Sequence, residues 1–256
     1  CNVGASVINI KRNFVWPAAA GVRGVIAAVL LGAEGGIPLL AYGLLGFITG
    51  GIVLEYARGI RVRRSRHDEL FISSLIRLVA CHRRRYGGYI VHLGVVMMVM
   101  GIVASNAGKQ ELEVTLGRGE RASLGEWAVQ FNGLSESSER NVSMVTADLD
   151  LIRDGRVVDK SLPEKHFHPG SENPMTEVDI RSTPAQDFYV ILAGWENQDR
   201  ATFKILINPM VWWIWTGNIV LLIGTVIAAW PDRKRKMGAG RARLLSLRAA
   251  GAILGI

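Results

Sequence analysis

The sequence predicts an α-helical integral membrane protein of about four spans, with an antiparallel β-rich domain inserted on the extracytoplasmic side. Three observations lead there. Four apolar blocks, residues 15–33, 37–57, 86–107 and 207–230, lack the polar interruptions of a soluble helix. Each is near the roughly 20 residues that cross a bilayer. Arginines crowd into short segments that flank those blocks, and the one long polar stretch, residues 109–206, alternates strand-like runs with turn signals.

Residues 1–57 hold the first two spans. Lys11 and Arg12 precede the first, and Glu34-Gly35-Gly36 supplies a tight turn before the second. Arg23 falls inside the first block, where a long side chain can snorkel to the surface. Residues 58–85 form a basic cytoplasmic loop with nine arginines. Within it Leu70, Phe71, Leu75, Leu78 and Val79 recur at helical spacing, which predicts a short amphipathic helix on the membrane interface. Residues 86–108 make the third span and residues 207–231 the last. Three tryptophans, Trp212, Trp213 and Trp215, open that last span and suit an aromatic belt. Residues 232–256 are a basic tail, with a second amphipathic segment at 240–256. The order places every arginine-rich segment on one side, as the positive-inside rule requires.

The formal charge of +8 is thus concentrated beside spans. Topology and contact with the lipid bilayer account for it, and nucleic acid is not an expected partner. Cys81 lies in the basic cytoplasmic segment, where thiols stay reduced, and Cys1 does not pair with it at motif spacing. The chain opens on Cys1 without an initiator methionine or a signal-peptide pattern, and so reads as a piece of a longer protein.

Residues 109–206 match one small domain in size. Strands are expected at 111–116, 127–131, 147–153, 156–159, 176–181, 188–192 and 202–207. Gly117-Arg118-Gly119 reads as a turn and Asp154-Gly155 as a two-residue hairpin turn. The set predicts a small sandwich or open barrel facing the outer side.

One ionisable side chain stands inside a span. His92 follows Arg83-Arg84-Arg85-Tyr86-Gly87-Gly88-Tyr89-Ile90-Val91, about 9 Å in from Tyr86 at 1.5 Å per residue. Such a group costs free energy unless it has a partner. It either ligates a metal such as haem iron or bonds a carbonyl or hydroxyl of a neighbouring helix. Gly87, Gly94 and Gly101 form a row of small residues that lets another helix approach closely. At about 100° per residue His92 points about 160° away from Gly94. Gly88, one turn below His92, leaves clearance beside the imidazole. Elsewhere, His166 and His168 alternate along a strand and share a face, but no third ligand stands at helpful spacing. His67 and His82 lie in basic sequence and read as solvated.

The stretch from Arg83 to Gly94 resembles the CcmF family of cytochrome c-type biogenesis proteins. So do Leu162-Pro163-Glu164-Lys165, Met175-Thr176-Glu177 and Asp187-Phe188-Tyr189-Val190, and the block Asn208-Pro209-Met210-Val211-Trp212-Trp213-Ile214-Trp215-Thr216-Gly217 that closes at Trp230-Pro231. The matches run in order over about residues 58–231, the C-terminal part of such a protein.

The resemblance implies an inner-membrane haem lyase subunit of bacteria, with residues 109–206 periplasmic. Such a subunit receives haem from a periplasmic haem chaperone. It joins the haem vinyl groups to the thiols of apocytochrome c and works beside a thioreductive CcmH-type subunit. Two membrane histidines of the family ligate a b-type haem, and His92 matches the second. The first, the tryptophan-rich haem-handling segment and the outer histidines of the family have no counterpart here. The resemblance therefore implies that the second axial ligand, and the rest of the CcmF sequence, come from outside this chain. No catalytic residue is assigned. The competing reading is a non-catalytic membrane scaffold that docks partners on its β-domain.

Overall fold

The computed structural model describes residues 7–67, 70–139, 142–170 and 174–231. Cys1 and the segment 240–256 lie outside them. Five helices and ten strands are described: α1 (Val7–Leu30), α2 (Gly36–His67), α3 (Phe71–Cys81), α4 (Arg83–Ala107), ten strands β1 to β10 between Gln110 and Pro209, and α5 (Val211–Ala229). Helices α1, α2, α4 and α5 are long and apolar enough to cross a membrane.

The helices associate through glycine. Between α1 and α2, a methyl group on Gly24 would sit 2.5 Å from the Tyr42 carbonyl oxygen, and one on Gly46 would sit 2.6 Å from that of Ala20. Between α4 and α5, Gly94 faces the backbone of Leu221 and Gly217, while Gly224 faces Val91. In lipid the hydrophobic effect does not drive helices together, so close backbone approach is the main source of contact. The glycine row of the third span is thus occupied by the last one.

Two boundaries differ from the sequence expectation. The segment 58–85 is not a loop throughout, because α2 continues to His67. Arginine is a good helix former, so nothing in Arg58 to Arg66 stops the helix where the apolar run stops. The amphipathic helix is α3, shorter than the expected segment. The last helix starts at Val211 rather than at 207. Ile207 instead pairs with Gln110 in β10 and is 3% exposed in the β-domain core. An apolar strand running straight into an apolar helix gives no composition change at the boundary.

The β-domain is an antiparallel sandwich. One sheet orders β1 (Gln110–Gly117), β10 (Arg200–Pro209), β9 (Gln186–Asn197) and β8 (Asp179–Ser182). The other orders β2 (Arg121–Leu124), β3 (Trp127–Glu139), β4 (Val142–Arg153), β6 (Glu164–Phe167) and β7 (Met175–Glu177), with β5 (Arg156–Ser161) also paired to β4. Alternate residues fill the space between the sheets: Val129 and Phe131, Ala147 and Leu149, Val190 and Leu192, Phe203 and Ile205. Asp154 and Gly155 both take positive φ, 51° and 74°, as a two-residue hairpin turn of this type demands.

The sandwich joins the membrane part on both sides. Strand β1 follows α4 directly, and β10 leads into α5 through Met210, whose backbone amide donates to the Ala185 carbonyl at 2.9 Å. Trp213 is more than an interfacial ring: its indole N–H donates to the Pro184 carbonyl at 3.0 Å and pins α5 to the turn before β9. Trp212 and Trp215 remain exposed.

Candidate functional site

Helix α4 has three differently used faces. Gly87, Gly94 and Gly101 are buried against α5. Tyr86 is buried against Ile60 of α2 and Leu78 of α3. On the remaining face His92, Val95, Val99 and Ile102 are exposed among the described residues. Their spacing of three, four and three residues makes a continuous stripe along the helix.

His92 therefore points away from the rest of the described chain. Its Nδ1 lies 2.7 Å from the carbonyl oxygen of Gly88. A carbonyl can only accept, so Nδ1 carries the proton and donates. That fixes the tautomer: Nε2 holds the lone pair and faces outward. The sequence supplies both parts, because the acceptor lies one helical turn below the imidazole. Gly88 itself differs from its neighbours. A methyl group added to Gly87, Gly94 or Gly101 would strike α5, whereas one added to Gly88 meets nothing within 4 Å. Among the described residues, then, helix packing explains three glycines of α4 and leaves Gly88 unexplained.

A polar knot sets the rotation of α4. The Tyr56 hydroxyl donates to the Tyr86 carbonyl at 2.9 Å. Glu55 pairs with Arg85 and, at 3.3 Å, with Arg58, while the Arg85 Nε–H donates to the Tyr89 hydroxyl at 3.4 Å. Tyr56, Tyr86 and Tyr89 pack ring against ring. With the tyrosines turned toward α2 and the glycines toward α5, His92 has only the third face left. Glu55 was open to discovery from sequence, as the only carboxylate within α2.

The other histidines do not join this site. His82 is exposed beside Tyr86, and nothing is described of the His67 side chain. His166 and His168 do not act together, since β6 ends at Phe167 and His168 lies beyond it. His166 turns instead to two carboxylates, with Nε2 2.8 Å from Glu164 and Nδ1 3.8 Å from Glu177. The strand register places these two glutamates directly opposite each other, a neighbour relation that linear spacing does not display. One ligand atom from each of the three lies within 4.8 Å of the others. Each ring nitrogen faces a different carboxylate, however, which describes an imidazole bridging two acids rather than three donors converging on an ion. The hydrogen bond from His166 holds the Glu164 carboxyl below its usual range, with help from the Thr146 hydroxyl.

Comparison with known proteins agrees with this architecture. Residues 107–209 match the family described as the CcmF C-terminal beta-sandwich. The cytochrome c-type biogenesis protein CcmF of Pseudomonas fluorescens is 27% identical over 230 residues, covering 86% of this chain and 34% of that protein. The CcmF of Haemophilus influenzae is 28% identical over 173 residues, covering 68% of this chain and 26% of its own length. The probable cytochrome c-type biogenesis protein NrfE of Escherichia coli is 25% identical over 166 residues, covering 65% and 30%. A solved structure, "Cytochrome c Heme Lyase CcmF", shares the fold with a TM-score of 0.69 at 24% identity. That likeness covers 86% of this chain and 35% of that one. The chain thus spans about a third or less of the proteins it matches.

Proposed function

Because this chain carries the C-terminal β-sandwich of the CcmF family and is similar to the C-terminal part of its members, we propose that His92 is one axial ligand of a b-type haem in a membrane-bound cytochrome c haem lyase. One observation carries the reading. The His92 Nδ1–H is committed to the Gly88 carbonyl, so the Nε2 lone pair points to a face that no described residue covers. Haem-ligating imidazoles need this second-nitrogen donation for orientation and basicity. Gly88 adds clearance on the same face, where a flat macrocycle needs it.

Haem, when bound, supplies an iron centre able to take up and pass on an electron. The residues of this chain hold and orient. His92 offers Nε2, Gly88 fixes the ring, and the tyrosines with Glu55 and Arg85 keep α4 turned so that His92 faces outward. The second axial ligand belongs to CcmF sequence outside this chain, so the chain alone binds haem weakly. The remaining partners follow from the same premise: a periplasmic haem chaperone, a thioreductive CcmH-type subunit and apocytochrome c. The basic ends of α2 and α4 lie cytoplasmic in the bacterial inner membrane, with the sandwich periplasmic.

The experiment is co-expression with the upstream half of a CcmF, followed by visible spectroscopy of the purified assembly. A b-type absorbance is expected, and His92→Ala removes it while the two halves still co-purify. Retention of a bis-histidine spectrum by that variant overturns the assignment.

A further inference from the structure

A second site stands at the basic end of the bundle, on a different side of α4 from the His92 stripe. Where α2, α3 and α4 meet, a cleft of about 460 Å³ opens, lined by Arg58, Arg63 and Arg66 of α2, Arg85 of α4, and His82. The only carboxylate on its wall is Glu55, shared by Arg58 and Arg85. Four guanidinium groups against one carboxylate leave three positive charges facing one concavity. The floor is fixed: Leu78 and Tyr86 are 6% and 4% exposed, and a methyl group on Gly59 would strike both.

The depth of the cleft is set by α3. That helix presents Leu70, Phe71, Ile72 and Ile76, each more than half exposed, on its outer side. In a chain with four spanning helices, an 11-residue helix with such a face lies in the plane of the interface. Its neighbour, the arginine cleft, then sits at the level of lipid headgroups. Arginine forks match phosphate oxygens in geometry as well as charge.

We propose that this cleft binds a phosphate-bearing anion, held by the Arg63 and Arg66 side of α2. Two sources share that chemistry: the headgroup of an anionic phospholipid and a soluble phosphate compound. The proposal does not rest on the haem reading, since neither His92 nor Gly88 lines the cleft.

The test is native mass spectrometry of the full chain in detergent micelles, titrated with phosphatidylglycerol, with phosphatidylcholine as the uncharged reference, and with inorganic phosphate as competitor. Three variants are compared. Arg63→Gln with Arg66→Gln removes two charges from the cleft, while Arg61→Gln with Arg64→Gln removes the same charge from the same helix away from it. Arg64→Gln alone serves as a milder control. Phosphatidylglycerol is expected to bind in preference to phosphatidylcholine. The cleft pair should lose about tenfold in affinity and the control pair much less. Displacement of the lipid by millimolar phosphate identifies the soluble source, and lack of displacement the headgroup; either supports the site. Equal losses in the two pairs would show diffuse surface attraction and overturn the proposal. So would binding of phosphatidylglycerol no tighter than phosphatidylcholine, together with no uptake of phosphate.

Discussion

At the scale of single residues, Gly88 links sequence, structure and function most directly. Its carbonyl orients His92, and its missing side chain leaves space that no described neighbour fills. A leucine there should leave the helix intact, since leucine is the better helix former and meets no backbone. Gly88→Leu should therefore keep the far-ultraviolet circular dichroism of the chain but abolish most of the b-type absorbance of the reunited protein. Gly88→Ala should retain it. Full absorbance in the leucine variant would show that the space beside His92 is not used. The histidine was legible in the sequence because an ionisable group inside an apolar run is conspicuous. Its hydrogen-bond acceptor was not, because a backbone carbonyl has no letter of its own. The Glu164–His166–Glu177 group was hidden for a related reason: Glu177 reaches His166 through strand pairing, across an intervening chain segment whose length carries no information about contact.

At the scale of elements, glycine spacing decides which helices touch. A valine at Gly94 would press into the Leu221 backbone, where a methyl group already comes within 2.6 Å of the amide nitrogen. Backbone cannot swing aside as a side chain can, so Gly94→Val should separate α4 from α5 and cost at least the about 1–3 kcal/mol typical of overpacking. Resistance of the purified chain to unfolding in mixed micelles would report it, with Gly88→Ala as the tolerated companion on the same helix. Unchanged resistance would mean that α4 and α5 do not pack through this row. The row itself was readable from its heptad spacing, but not the identity of its partner. Long strands with strict alternation, such as β4 and β9, were readable in part. The four-residue strands β2 and β6 were not, being too short to show a period. Helix α2 overran its expected end because arginine ends an apolar run without ending a helix.

At the scale of the whole molecule, charge and domain position point the same way. The arginines of α2 and α4 lie at one end of the bundle, whereas β1 and β10 leave α4 and enter α5 at the other. The positive-inside rule then assigns the arginine end to the cytoplasm and the sandwich to the opposite side. Cys81 makes that assignment measurable, because it is exposed at the arginine end, on the last turn of α3. In a Cys1→Ser background, a membrane-impermeant maleimide applied to intact spheroplasts should leave Cys81 unlabelled until the cells are lysed. Moving the single thiol to the exposed strand position Ser137, with Cys81→Ser, should reverse the pattern and give labelling without lysis. The two sites lie at opposite ends of the spanning helices, so the pair of results tests the number of crossings between them as well as their direction. Labelling of Cys81 in intact spheroplasts would place the arginine cleft outside. It would also remove the cytoplasmic leaflet as the source of any headgroup bound there.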